Sequence, residues 1–148
     1  MPGQHGPGIV DFAMPDVMGS ILDFETADSG KRLMRLYISG DTLIIDELKE
    51  IPKRFPEIDL GLFHLGGTRV LGIMVTMDDE KGVEAIKIIQ PEKAIPIHYN
   101  DYDVFKSPLE DFKRAVEKAG LSKKVIYLAH GETHNFEIPA SRKQNSSV

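Results

Sequence analysis

Stretches with the two-residue period of a β-strand alternate along this chain with stretches that have the apolar spacing of an amphipathic helix. A turn signal, Asp-Ser-Gly, separates the first two strand patterns and predicts a β-hairpin. The alternation predicts an α/β fold, because helices that follow strands cover the faces of a sheet. Strands are expected at residues 20–25, 32–39, 60–65, 94–98 and 125–129, and helices at 44–51, 76–90 and 107–119.

Prolines and capping residues indicate where the three helices begin and end. Pro52 should end the first helix, because proline disfavours the helical conformation of the residue before it. Thr76 and Ser107 are expected to cap the second and third helices, since an acidic residue three positions later completes a capping box in each case. The first eighteen residues contain three glycines and three prolines, and are expected to form a loop or an ordered arm.

The composition is that of a folded chain of about one domain. Of the 148 residues, 41% are hydrophobic and 28% are charged. We expect one domain over residues 1–140 and a disordered polar tail over 141–148. The net charge of -5 disfavours nucleic-acid binding, because no basic field attracts phosphates. No apolar run could span a bilayer and no signal-peptide pattern is present, so we expect a cytoplasmic protein without a membrane partner.

Three polar residues stand where a strand pattern gives way to a loop or within the glycine-rich arm: Asp41, His98 and His5. Strand ends at one edge of a sheet are where α/β proteins collect ligands. The chain has no cysteine, and one carboxylate with two imidazoles is a donor set that suits zinc, manganese or iron. Each residue also has a plain structural explanation: Asp41 as a turn former or helix cap, His98 as a hydrogen-bonded core histidine, and His5 as a solvated loop residue.

Six short motifs add to these single residues. The motifs are Pro-Gly-Gln-His-Gly-Pro-Gly at 2–8, Ser-Gly-Asp-Thr at 39–42, Asp-Leu-Gly-Leu-Phe-His-Leu-Gly-Gly at 59–67, Val-Thr-Met-Asp at 75–78, Ile-Pro-Ile-His-Tyr at 95–99 and Gly-Glu-Thr at 131–133. Together, and in this order, they closely resemble the C-terminal half of the metallo-β-lactamase-fold hydrolases, in particular the branch related to ascorbate-6-phosphate lactonases. The resemblance covers most of the chain.

The resemblance implies a fold and a set of ligands. The fold is half of an αββα sandwich, a mixed sheet with outer helices. His5 would bind one metal ion, His98 would bind the other, and Asp41 would bridge the two as the catalytic carboxylate. Two divalent ions, expected to be zinc, would then activate a shared water to hydrolyse a small-molecule ester, lactone or phosphoester.

One family motif is absent from this sequence. The His-x-His-x-Asp-His stretch, which supplies most of the ligands from the N-terminal half, has no counterpart, because no two of the five histidines are two residues apart. A catalytic zinc ordinarily has three protein ligands. With His5, Asp41 and His98 alone, each of the two ions would have only two. The chain is then a fragment or truncated product of a hydrolase. The alternative is a non-catalytic remnant that associates with a partner chain or with its own copies through the inner face of its sheet.

Four further residues are candidates for a supporting shell or a substrate loop. His64 is expected to be a core histidine or to support a metal ligand rather than to bind metal itself. Asp78 has a sufficient explanation as part of a helix start, although the resemblance places it near the metal edge. Tyr99 and Asp101 follow His98 in a loop that contacts either substrate or solvent.

Overall fold

A four-stranded mixed sheet organises the chain in the computed structural model, which describes residues 1–8, 14–100, 103, 105–139 and 142. The sheet order is β1-β2-β3-β6, with β1 antiparallel to β2 and the pairs β2–β3 and β3–β6 parallel. β4 and β5 form a separate small hairpin. The α/β prediction is therefore confirmed. The strands are β1 (Ser20–Glu25), β2 (Arg32–Ile38), β3 (Leu60–His64), β4 (Arg69–Val70), β5 (Ile73–Met74) and β6 (Lys93–Ile97).

Helical segments lie between the strands of the sheet and after the last of them. They are a 3-10 turn at Asp46–Glu50 and the helices α1 (Ile51–Arg54), α2 (Asp79–Ile89) and α3 (Leu109–Lys118). The prediction that Pro52 ends a helix over residues 44–51 is wrong. Pro52 lies in the first turn of α1 instead, where its missing N–H has no intrahelical partner to lose.

The prediction that Thr76 caps α2 is also wrong. The cap of α2 is Asp78, whose carboxylate accepts a hydrogen bond from the Lys81 backbone N–H at 3.0 Å. Thr76 is buried, and its hydroxyl oxygen accepts a hydrogen bond from the Thr68 N–H at 2.9 Å. The helix thus begins two residues later than the capping box indicated, because the threonine fixes the preceding loop.

Ser107 caps a different helix from the one expected. Its hydroxyl oxygen accepts a hydrogen bond from the Asp79 backbone N–H at 3.0 Å, in the first turn of α2. The N-cap of α3 is Pro108, which makes no side-chain capping bond. Ser107 therefore ties the start of α3 to the start of α2.

The strand expected at residues 125–129 is reduced to one bridge. Val125 pairs in parallel with Ala94, through hydrogen bonds from Ala94 N–H to the Lys124 carbonyl and from Ile126 N–H to the Ala94 carbonyl. The next residue of β6 whose backbone groups point towards this segment is Pro96, which has no N–H to donate. The ladder stops there for that reason.

The two faces of the sheet differ in what covers them. On one face, Tyr37, Phe63 and Ala94 are buried in a core that includes α2 and α3. On the other, Leu22 and Phe24 of β1 are 44% and 50% exposed, and their β2 partners are only half-buried. We call this second surface, formed by Leu22, Phe24, Met34, Leu36 and Ile38, the open face.

Both ends of the described chain are attached to the sheet. Pro2 forms a bridge with Met18, and the Met1 amino group donates to the Gly19 carbonyl at 2.9 Å, so the first residues of the chain are held beside the segment that leads into β1. Arg142 donates to the carboxylate of Asp59. Residues 141 and 143–148 of the expected tail lie outside the described residues. None of the helices in the described part of the chain combines the length and apolarity needed to cross a membrane.

Candidate metal centre

The carboxyl ends of β2, β3 and β6 meet at one edge of the sheet, and each brings a polar residue there. Asp41 lies shortly after β2, His64 is the last residue of β3, and His98 directly follows β6. The three side chains line one cleft of about 320 Å³ together with Val17 and Met18. We call it the Asp41–His98 cleft. Parallel neighbours place their carboxyl ends side by side, and this explains why residues so distant in sequence share a cleft.

Asp41 and His98 are in contact within this cleft. The Nδ1 atom of His98 lies 3.4 Å from Oδ1 of Asp41 and 3.3 Å from the carbonyl oxygen of Leu65. Oδ1 of Asp41 is buried and accepts no hydrogen bond from any described residue. A buried carboxylate oxygen without a donor is costly, so this atom is suited to receive a cation.

His64 is held beside the pair by Ser39. The Ser39 hydroxyl accepts a hydrogen bond from the His64 backbone N–H at 2.9 Å, and Ser39 Oγ lies 3.3 Å from His64 Nδ1. The rings of His64 and His98 are 5.5 Å apart between centroids. Burial lowers the pKa of His64 below its ordinary value, against an opposing effect from Asp41, and the neutral imidazole is therefore favoured.

The loop after β6 holds His98 in an unusual backbone conformation. His98 and Asn100 have φ angles of 59° and 58°, in the left-handed region that non-glycine residues seldom adopt. Between them, Tyr99 is buried and its hydroxyl donates to the Leu128 carbonyl at 2.9 Å. Such strain persists only where the surroundings impose it, and it is concentrated at functional sites.

The other expected site residues do not line the Asp41–His98 cleft. Asp78 serves as the cap of α2. The N-terminal arm runs beside the Asp41 loop, because the Gln4 N–H donates to the Thr42 hydroxyl and the Leu43 N–H donates to the Gln4 carbonyl, both at 2.9 Å. His5 follows Gln4 next to this loop, but it is not one of the cleft's lining residues. Asp101 lies outside the described residues.

The residues that the structure describes do not form a complete metal site. Among them, no group of three His, Asp or Glu side chains surrounds one point where an ion could be held. Asp41 and His98 are two donors in contact, with His64 next to them. A catalytic zinc needs a third protein ligand, so this arrangement fits part of a metal centre and no more.

Sequence reasoning found His64 but missed Val17 and Met18. His64, expected to be a core histidine or to support a metal ligand, lines the same cleft as Asp41 and His98. The alternation of Leu60, Leu62 and His64 along β3 was a usable signal, since residues two apart share a face and this face is not the helix-covered one. Val17 and Met18 gave no such signal, because they lie in an irregular segment.

The chain resembles curated proteins that are about twice its length, and each match covers about half of the relative. A UPF0173 metal-dependent hydrolase from Pelotomaculum thermopropionicum is 33% identical over 133 residues, which cover 89% of this chain and 54% of that protein. One from Ignicoccus hospitalis is 36% identical over 110 residues, 74% of this chain and 42% of that protein. The chain thus spans about half the length of the curated relatives it matches. No protein-family model matches it.

Solved structures show the same partial coverage. An isothiocyanate hydrolase from Delia radicum gut bacteria superposes with a TM-score of 0.76 at 19% identity, over 93% of this chain and 52% of that one. A possible metal-dependent hydrolase from Veillonella parvula gives 0.70 at 20% identity, over 88% and 51%. A metallo hydrolase from Ignicoccus hospitalis gives 0.60 at 28% identity, over 92% and 60%.

Proposed function

We propose that this chain, a homologue of metal-dependent hydrolases, forms the C-terminal half of an enzyme with the metallo-β-lactamase fold. In this role it supplies Asp41 and His98 to a metal centre that another segment completes. The observation that carries the proposal is the buried Asp41 oxygen that lacks a hydrogen-bond donor and lies beside His98 at the strand edge. The narrower relation to ascorbate-6-phosphate lactonases stays a prediction.

The donor chemistry supports zinc as the metal. Carboxylate and imidazole donors suit zinc, and the chain has no thiolate. Because the described residues provide too few ligands, the remaining donors would come from the part of the relatives' length that this chain does not span. A divalent ion in such a site lowers the pKa of bound water and favours hydrolysis of a small ester, lactone or phosphoester.

The open face supports the same arrangement. Leu22 and Phe24 are exposed apolar residues on a sheet whose opposite face packs against the main core through residues such as Tyr37, Phe63 and Ala94. In the proposed enzyme, the missing half lies against this face and buries it. A non-catalytic chain that associates through the same face is the second candidate, since the exposed patch alone would account for it.

Metal content distinguishes the two candidates. The isolated chain should retain little zinc after gel filtration, measured by plasma mass spectrometry, because two donors in contact do not fix an ion. A chain extended at its N-terminus by a half that carries His-x-His-x-Asp-His should bind zinc and hydrolyse p-nitrophenyl acetate or bis-p-nitrophenyl phosphate. Asp41→Asn in the extended chain should remove at least one ion and slow turnover by about a hundredfold. This is the upper end of the loss caused by changing residues that only support metal ligands, and Asp41 is proposed to bind the metal directly.

The matched control is Asp46→Asn, which changes an exposed carboxylate that pairs with Lys49 on the 3-10 turn. It should leave zinc content and turnover unchanged. Full zinc occupancy and turnover in the Asp41→Asn enzyme would rule out the metal-site assignment. An extended chain that folds but neither binds zinc nor turns over would favour the non-catalytic candidate.

A further inference from the structure

A second cavity shares the lining residue His98 with the Asp41–His98 cleft. Its volume is about 280 Å³, and its lining residues are Ile95, Pro96, Ile97, His98, Tyr99, Leu128, Ala129, His130 and Gly131. We call it the apolar cavity. Since His98 also lines the Asp41–His98 cleft, a molecule whose polar group lies at Asp41 could extend past the imidazole into this space.

The walls of the apolar cavity are aliphatic at Ile95, Ile97, Leu128 and Ala129, and His98, Tyr99 and His130 are the lining residues that carry polar groups. Ile95 is buried, and Ile97 and Leu128 are partly buried with apolar side chains. The Tyr99 hydroxyl, which also borders this region, already donates a hydrogen bond to the Leu128 carbonyl at 2.9 Å. A polar ligand group would therefore lose hydrogen bonds to water at these walls, whereas an alkyl or aromatic group would lose none.

The dimensions limit the occupant to one substituent. A volume of about 280 Å³ lies just below the range in which pockets enclose a whole drug-sized molecule, roughly 300 to 1,000 Å³. The His98 ring packs on Phe105 with 4.7 Å between centroids. His98 is thus a wall residue that the polar cleft and the apolar cavity share.

We infer that the apolar cavity binds the uncharged apolar substituent, a short alkyl chain or an aromatic ring, of the substrate whose scissile group lies in the Asp41–His98 cleft. This inference rests on the proposed function and names the substrate class. Each methylene that enters the cavity should strengthen binding by about fourfold, from the transfer of apolar surface out of water.

The test uses a neutral pair of probes that differ only in the apolar arm, N-hexylacetamide and N-methylacetamide. Methyl NMR of the 148-residue chain without metal should show shifts at Ile95, Ile97 and Leu128 with N-hexylacetamide, at concentrations at least tenfold below those needed for N-methylacetamide.

Ala129→Leu, which adds bulk at an exposed wall position, should weaken the binding of N-hexylacetamide by at least about fivefold. The same change at exposed Ala27, in the β1–β2 turn, is the control and should have no effect.

Leu128→Ala provides a second variant, because it removes wall atoms while the Leu128 carbonyl remains available to Tyr99. It should also weaken hexyl binding. Equal affinity for the two probes, shifts confined to other methyl groups, or unchanged hexyl binding in both variants would overturn the inference.

A kinetic arm separates this inference from the proposed function. In the extended, zinc-loaded enzyme, Ala129→Leu should lower kcat/KM for p-nitrophenyl hexanoate about tenfold relative to p-nitrophenyl acetate. An active enzyme in which that ratio is unchanged would overturn the inference and leave the metal-site proposal standing. The opposite outcome is also distinguishable. If N-hexylacetamide binds selectively but Asp41→Asn leaves the zinc content of the extended chain unchanged, the proposed function is overturned instead.

Discussion

At the scale of single residues, Gly40 decides where the Asp41 carboxylate lies. Its φ angle of 65° is in the left-handed region, and a Cβ at this position would collide with the carbonyl oxygen of Met18. The chain turns there from β2 towards the cleft. A glycine is required for two separate reasons, the backbone conformation and the close approach of a neighbouring segment.

Gly40→Ala should be more destabilising than the same change at Gly72. Gly72 also has a positive φ, of 82°, but no atom lies within 4 Å of its added Cβ. We expect Gly72→Ala to lower the free energy of unfolding by about 1 kcal/mol, from backbone strain alone. Gly40→Ala should cost about 2 kcal/mol more, because the Met18 backbone must move. Urea denaturation measures both, and equal losses would show that the contact with Met18 is unimportant.

The Asp41–His98 cleft was partly predictable from single residues. That Asp41 and His98 follow strands and lie at one edge of the sheet could be predicted from the sequence, because loops at one sheet edge share a site. The place of His5 could not be read, since it depends on how the arm packs against Thr42. Local spacing contains no information about such a long-range contact.

At the scale of elements, a pair of charged side chains joins the first two strands. Arg35 of β2 is buried and donates two hydrogen bonds of 2.7 Å to the carboxylate of Asp23 on β1. It also donates to the Pro56 carbonyl at 2.7 Å, and its guanidinium lies over the ring of Phe55. The hairpin is thereby attached to the segment that follows α1.

Asp23→Asn should destabilise the protein in a pH-dependent way. The hydrogen bonds from Arg35 hold the pKa of Asp23 below its ordinary value. The pair therefore contributes fully above the unfolded pKa of about 3.9, and its contribution disappears as the pH falls through the lower folded pKa. We expect a loss of about 1 kcal/mol at pH 7, reduced by solvent screening, and a smaller difference between the two proteins below pH 3.

Thermal denaturation of the two proteins from pH 2.5 to pH 7 checks this expectation. The control is Asp46→Asn, since Asp46 also has a lowered pKa through Lys49 but is almost fully exposed. It should change the stability little at any pH. A difference between wild type and Asp23→Asn that grows towards acid would contradict the assigned sign.

The elements themselves were predictable where a local rule decided them. The strand limits of β1, β2, β3 and β6 agree with the two-residue period to within one residue. The helix caps failed because Thr76 bonds to the preceding loop and Ser107 bonds to another helix, contacts that only the assembled fold creates. The strand at residues 125–129 failed because its neighbour would have had to donate from Pro96.

At the scale of the whole molecule, the open face is the largest departure from a closed domain. Leu22 and Phe24 are exposed, while the helix-covered face contains residues such as Phe63 that are fully buried. Exposed apolar surface of this kind drives association. Without the complementary half, copies of the chain are expected to associate through this face.

Phe24→Asp should therefore reduce self-association of the isolated chain. The control is Leu71→Asp, since Leu71 is 97% exposed but lies in the β4–β5 turn, outside the main sheet. Sedimentation velocity should show oligomers for the wild type and for Leu71→Asp, and a larger monomer fraction for Phe24→Asp. A compact wild-type monomer at high concentration would contradict this account of the open face.

The mixed pairing of the sheet also fixes an order of assembly. β1 and β2 are adjacent along the chain, and such a hairpin closes within about 1–10 microseconds. Longer segments that contain α1 and α2 separate β2 from β3 and β3 from β6, so both parallel pairs require slower closure of long loops. Asp41 follows β2 of the hairpin, whereas His64 and His98 come from the ends of β3 and β6, which pair later. A chain in which only the hairpin has formed therefore has no cleft, and any ion that binds the cleft favours the finished fold.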